Sequence, residues 1–395
     1  MTKRITALIL TLLLLTGCGS PKNLAPRQTA EAGEIPDAEA LMDFSLSLLR
    51  ENWGENVLIS PLSILCALGM TANGAAGETL AQMEAVLGVP AARLNEDLGA
   101  WMGSYAEDEN LKLANSLWFR DDGSFQLEEA FLETAGSVYG AEVFPSKLDA
   151  ETAGQINQWV KNHTGGMIER IAEEIPEEAV LYLINALSLD AEWENIYRQD
   201  QVWDREFTTE EGLKQPAELM YSMEGLYMED DHAQGFLKPY KGGRWAFGAL
   251  LPEEGLALED YAASLTGAHL RELLDAEETL VETAIPKFRA DCSRTLNDSL
   301  TALGMRDAFD MSKADFSGMG ISSAGPLYIS KVLHKTSIAV DERGTKAGAV
   351  TAVAMEAGGA APNPNTVYLT RPFLYMLVDL ETNLPVFIGA VTTLK

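Results

Sequence analysis

Residues 341–365, DERGTKAGAVTAVAMEAGGAAPNPN, make a long stretch of Gly, Ala, Thr and Val between two strand-like runs, one ending near Val340 and one beginning near Val367. Connections beyond about a dozen residues are uncommon inside compact domains, and those that occur are mostly functional or disordered. A period-two reading from Thr345 separates this one from a plain linker. Thr345, Ala347, Ala349, Thr351, Val353 and Met355 share one face, all small or apolar and none charged. Lys346 and Glu356 fall on the opposite face, where a strand would turn them to solvent. The segment therefore suits two states, a solvated loop and a buried strand in the middle of a sheet, and two compatible states suggest a switch.

The chain is large enough to hold such a sheet. Its 395 residues, 47% of them hydrophobic, can bury a large core as one big domain or as two or three average ones. Against 29 basic residues stand 59 acidic ones, a net charge of -30. That charge repels phosphate backbones and no Lys/Arg stripe offsets it, so nucleic acid is not an expected partner. A soluble surface in an extracellular setting is the expected reading.

The N-terminus reads as targeting rather than structure. Lys3 and Arg4 precede an apolar run, residues 5–15, too short to span a bilayer. The run closes on Leu15, Thr16, Gly17 and Cys18, which resembles the lipobox of bacterial lipoproteins. That resemblance implies cleavage behind Gly17 and a thioether-linked lipid on Cys18; an ordinary secretory signal that contains a cysteine is the alternative, and export follows from both. Residues 18–36 are polar, carry Pro21, Pro26 and Pro36, and read as a tether, with the folded domain expected over 37–395. Of the two cysteines in that domain, Cys66 lies among Ile64, Leu65 and Leu68 and is expected as a buried free thiol; pairing it with Cys292 would be a guess.

Along the domain, helical and strand-like patterns alternate. Ser60-Pro61 signals a helix start, serine as the cap and proline in the first turn, followed by Leu62, Leu65, Cys66 and Gly69 at helical spacing. Residues 157–171 predict another helix, with Ile156, Trp159 and Val160 on one face. Residues 179–189, AVLYLINALSL, predict a strand buried on both sides, interrupted only by Asn185 and Ser188. Residues 327–340 and 367–392 hold further strands, FLYMLVDL and LPVFIGAV among them. Helices come first and strands dominate later, which predicts an α+β fold.

Enzymatic constellations are missing from the sequence. His163, His232, His269 and His334 are scattered, with no HExxH and no pair at helical spacing, so no metal or cofactor is expected. CxxC, the Walker loop, GxSxG and Ser-x-x-Lys do not occur, and the chain is not expected to be an enzyme.

From residue 37 to the C-terminus the chain resembles the serpins. The resemblance rests on NVLISPLSILCALGMTANGAAGET near residue 60, INQWVKNHTGGMI at Ile156, LINALSLDAEW ending at Trp193, and IPKF at Ile285. It continues through LGMRDAFD and ADFSGM over 303–319, HKTSIAVDERGTKA at His334, and RPFLYML at Arg371, all in family order. It implies a large central β-sheet with two further sheets and eight to nine helices, and a reactive centre loop over about 342–371 displayed at one pole. It also implies a monomer that touches a membrane only through a lipid on Cys18.

Carried over residue by residue, the family's hinge corresponds to Glu342, Gly344, Thr345, Ala347, Gly348, Ala349, Thr351 and Ala352. Lys346 departs from the acidic residue common at its position, but falls on the outward parity. The shutter, a polar cluster beneath the central strands, corresponds to Ser60, Ser63, Asn185 and His334, and the breach, where insertion begins, to Trp193. Read without the family, Ser60 is a helix cap, Asn185 a polar group needing partners in an apolar strand, and His334 a buried histidine. Asp190-Ala191-Glu192 stands where a Lys-Gly pair is usual, a departure from the family pattern just before the breach.

The family mechanism is suicide inhibition of serine, or cysteine, endopeptidases. The protease attacks the loop as a substrate, and the freed loop enters the central sheet before its acyl ester is hydrolysed. The hinge count places the reactive bond between Gly358 and Gly359, whereas counting back from Pro372-Phe373 places it after Ala361, before a disfavoured Pro362. Met355, Glu356 and Ala357 are further candidates. No Arg or Lys lies between Lys346 and Arg371, and the small residues suit an elastase-like or subtilisin-like target. The alternative is a non-inhibitory serpin acting as a binding or scaffold protein, whose hinge would carry bulky, charged or proline residues at inward positions.

Overall fold

The computed structural model describes residues 22–26, 33–105, 108–177, 179, 181–323, 325–345 and 364–394. The domain opens with α1 (Ala38–Glu51), the short β1 (Leu58–Ile59), α2 (Pro61–Ala72), α3 (Gly77–Leu87) and α4 (Ala91–Gly103). Next come β2 (Leu111–Arg120), β3 (Phe125–Leu127), α5 (Glu129–Ser137), β4 (Glu142–Ser146) and α6 (Ala150–His163). A run of strands follows: β5 (Leu181–Leu189), β6 (Ala191–Glu192), β7 (Val202–Thr208), β8 (Lys214–Glu229), β9 (Ala233–Pro239) and β10 (Trp245–Pro252). Two helices, α7 (Leu258–Ser264) and α8 (Gly267–Leu274), lead to β11 (Glu277–Pro286), β12 (Phe288–Thr295) and α9 (Asn297–Leu303). The chain closes with β13 (Gly320–Ser322), β14 (Leu333–Val340), β15 (Gly344–Thr345), β16 (Asn365–Tyr368), β17 (Phe373–Asp379) and β18 (Leu384–Val391).

The strands build an α+β fold. A nine-stranded sheet runs β1-β18-β17-β10-β9-β8-β11-β16, with β7 on β8. Every residue of β17 and β18 is buried, as their unbroken apolar runs require of strands covered on both faces. A second layer consists of β12-β14-β15-β6 and β4-β2-β5. Because β6 follows β5 after the single residue Asp190, these two groups share one layer, divided by a seam between β5 and β14.

Local chemistry accounts for the helix that supports this seam. Ser60 Oγ accepts from the backbone N–H of Ser63 and Pro61 takes the first position of α2, whose residues are buried almost throughout. Cys66 is buried there as a free thiol, and burial pushes its ionisation far up.

Three sequence expectations need correcting. The helix expected over 157–171 is α6, which starts earlier, where Asp149 accepts from the N–H of Thr152, and ends at His163. Gly165 and Gly166, with φ of 60° and 83°, turn the chain out of the helix. Ile168 and Ile171 still return to the cluster of Ile156, Trp159 and Val160, which is why the apolar spacing ran past the true end. The strand buried on both sides starts at Leu181 rather than 179, and Leu181, Tyr182 and Leu183 are only half-buried. β14 takes up only the last part of 327–340; before it, the N–H of Ile329 bonds the carbonyl of Ala308 and that of Val332 bonds Asn297.

Residues 22–26, within the stretch expected as a tether, lie along the open edge of β4. The N–H of Leu24 donates to the carbonyl of Val143 at 2.9 Å, and the N–H of Val143 donates to Asn23 Oδ1 at 2.8 Å.

Candidate functional site

At the head of the seam, Gly344 and Thr345 form a two-residue strand wedged between β14 and β6. Thr345 stands opposite Val340 on one side and Ala191 on the other, and Gly344 stands opposite Glu192. A side chain on Gly344 would overlap the carbonyl oxygen of Ala191, so the residue must be glycine for the strand to sit this close. Thr345 is 2% exposed, and its hydroxyl shares a short hydrogen bond with that of Tyr240. Below the wedge, no ladder joins β5 to β14 among the described residues. The lower end of the seam widens into a cavity of about 220 Å³ lined by Leu181, Leu183, Asn185 and Leu333, with Thr71 beneath.

The turn that delivers this wedge is held from one side. The backbone N–H of Trp193 donates to the carbonyl of Arg343, and that of Tyr197 to the carbonyl of Glu342, both at 2.8 Å. The Trp193 indole N–H donates to the carbonyl of Asp341 at 2.8 Å, and its ring stacks on Tyr240 with centroids 4.4 Å apart. Lys287 bridges Glu342 at 3.1 Å and Glu218 at 3.2 Å. A bond from its own backbone N–H, with Lys287 adding its charge, holds the Glu342 carboxyl below the usual carboxylate range.

Further down, Ser60, Ser63, Asn185 and His334 come together. The N–H of Ser60 donates to Nε2 of His334 at 3.1 Å, and Ser60 Oγ donates to the carbonyl of Val386 at 3.0 Å. Ser63 Oγ donates to Asn185 Oδ1, and Asn185 Nδ2 donates to Asn115 Oδ1 at 2.6 Å. Asn115 in turn donates to the carbonyl of Tyr139 at 2.8 Å. Burial pushes the His334 imidazole down to about 4, which keeps Nε2 free to accept.

Asn115 was missed in the sequence, although it is a polar residue in a strand-like run just as Asn185 is. The two stand directly across from each other in the β2–β5 register. Trp193 lies apart from this cluster, at the head of the seam with Glu342, Gly344 and Thr345. The unusual Asp190-Ala191-Glu192 is the backbone against which the wedge pairs, and Asp190 bonds the carbonyl of Asn110. Ala347, Gly348, Ala349, Thr351 and Ala352 lie outside the described residues, as do Met355, Glu356, Ala357, Gly358, Gly359, Ala361 and Cys18.

Comparison with known proteins points in one direction. The family model for serpins, serine protease inhibitors, matches residues 39–394. The chain is 32% identical over 377 residues to an uncharacterized serpin-like protein of Thermococcus kodakarensis, covering 91% of this chain and 86% of that one. It is 31% identical over 372 residues to the leukocyte elastase inhibitor of Bos taurus, covering 89% and 97%. Among solved structures it resembles tengpin, a thermophilic serpin in its native state, with a TM-score of 0.88 and 43% identity over 95% of this chain and 100% of that one.

Proposed function

The chain belongs to the serpin family of serine protease inhibitors, and from that premise we propose that it is a suicide inhibitor of elastase-like or subtilisin-like serine endopeptidases. The observation that carries the reading is the wedge of Gly344 and Thr345 at the head of an unzipped seam. Extending its register downward puts Ala347 opposite Leu189 and Ile338, Ala349 opposite Leu187 and Thr336, and Thr351 opposite Asn185 and His334. Thr336, Ile338 and Val340 point into the core, so the partners on the same face of an inserted strand are the odd-numbered, small residues of the loop.

The chemistry is acyl transfer that stops halfway. The protease hydroxyl adds to the carbonyl of Gly358, its proton passes through the protease base to the leaving nitrogen of Gly359, and an ester remains. The released strand then fills the seam; about fifteen residues at roughly 3.3 Å each carry the ester some 50 Å from its starting pole. Each ladder bond contributes about 1 kcal/mol net, on both edges of the new strand, against an ordering cost of about 1–2 kcal/mol per residue. Small inward side chains keep that balance favourable because they bury without strain.

The test is to incubate the mature protein with an elastase-like and a subtilisin-like protease and boil the mixture in detergent. A covalent complex with the mass of the protease plus the chain up to Gly358, the peptide from Gly359 onward being released on boiling, supports trapping; a cleaved loop with fully active protease overturns it in favour of a non-inhibitory binding or scaffold role, and turnover of added substrate by the chain itself would make it an enzyme. The same proposal places the protein outside the cytoplasm, a monomer held to a membrane by a lipid on Cys18. Incorporation of labelled fatty acid that is lost in Cys18→Ala checks the anchor.

A further inference from the structure

Lys238 and Glu224 form a buried ion pair behind the rings of Trp193 and Tyr197, the two residues that hold the hinge turn, and acyl trapping itself makes no use of it. Lys238, near the end of β9, is 1% exposed, and its Nζ lies 2.6 Å from Oε1 of Glu224 on β8. The same ammonium stands 4.6 Å from the centroid of the Tyr197 ring and 5.4 Å from that of Trp193. Ser222 Oγ bonds Glu224 and, at 3.1 Å, the Tyr197 hydroxyl, which ties the carboxylate to the same ring.

Stability alone accounts poorly for such a pair. Removing two charges from water is costly, and apolar replacements of similar volume are often neutral or stabilising. The ammonium does, however, hold two aromatic rings by desolvated cation–π contacts. Those rings belong to the residues whose backbone N–H groups grip Arg343 and Glu342.

We propose that the Lys238–Glu224 pair is a positioning clamp that fixes the Trp193 and Tyr197 rings, keeps Gly344 and Thr345 seated at the head of the seam, and so sets how readily the rest of the loop follows. The second half of this statement rests on the trapping function proposed above. A loosened clamp leaves insertion without its seated nucleus, so more of the acyl ester reaches water first.

The double variant K238M/E224Q tests it, because removing the lysine alone strands a buried carboxylate. In the mature protein without protease, hydrogen exchange at the amides of Trp193 and Tyr197 is expected to quicken roughly tenfold while the melting temperature stays within a few degrees. With a protease that the unaltered protein traps, the number of inhibitor molecules consumed per protease trapped rises several-fold. Tyr197→Leu, which leaves the ion pair in place, shifts both readouts the same way and serves if the double variant does not fold. Unchanged exchange at these two amides in a folded variant overturns the clamp, as does faster exchange with unchanged partition. If the unaltered protein traps no protease, the trapping reading fails by itself, and the exchange measurement still decides whether the pair fixes the hinge.

Discussion

The backbone N–H of Ser60 donates to Nε2 of His334 across 274 residues of chain, so the helix cap under the seam and the first buried residue of β14 share one hydrogen bond. Only a neutral imidazole can accept it. The folded ring titrates at about 4, below its ordinary value of 6.5, so the neutral form is the stabilised one. Its contribution is complete above pH 6.5 and is lost as pH falls toward 4 and below, on the order of 2–3 kcal/mol. Thermal melts between pH 7 and pH 4 should show this fall, and His334→Gln, which can still accept from Ser60 but does not titrate, should flatten it.

Asp97 has the opposite sign. It is fully buried on α4, neither carboxylate oxygen finds a hydrogen-bond partner among the described residues, and Arg93 stands 3.7 Å away. Burial, with Asp37 nearby, pushes its carboxyl up to about 6. The protonated form is favoured in the folded state, so its contribution is full below pH 3.8 and is lost as pH rises through 6. Asp97→Asn should therefore raise the melting temperature at pH 8 and leave it nearly unchanged at pH 4, as calorimetry at the two pH values would show.

Thr345 carries the hinge prediction, because it is buried and opposite Val340 and Ala191. Thr345→Asp places a charge where a buried hydroxyl now meets that of Tyr240. Burying an unpaired carboxylate costs several kcal/mol, so the yield of detergent-resistant complex should drop roughly tenfold or more while loop cleavage continues. Equal complex yields from both forms would sink this account of the hinge.

Cleavage itself should stabilise the protein. Ladder bonds on both edges together with buried apolar area must outweigh the cost of ordering the loop, and a surplus on the order of 10 kcal/mol raises the melting temperature by roughly 20 °C. Loop-cleaved and intact protein, compared by scanning calorimetry, should differ by that order; equal midpoints would remove the driving force from the proposed trap.

Sequence and structure divide the molecule along the range of the forces involved. The cap of Ser60 on α2, the burial of Cys66 and the runs that became β17 and β18 could be read directly, because capping, propensity and alternation act within a few residues. The inward parity of Thr345 was legible for the same reason, since side chains on any strand alternate with period two. The end of α6 was misread because Ile168 and Ile171 fold back onto the helix's own cluster, and apolar spacing alone does not distinguish a continued helix from a returning loop.

What only the tertiary structure decided is which distant polar groups satisfy one another. Asn115 became part of the cluster because the β2–β5 register sets it against Asn185, and Lys238 found Glu224 because neighbouring strands bring them together inside a core where neither charge has water. A residue's type announces that a buried donor or charge must have a partner. The partner's identity depends on how the strands register and pack, over chain separations that no local pattern spans.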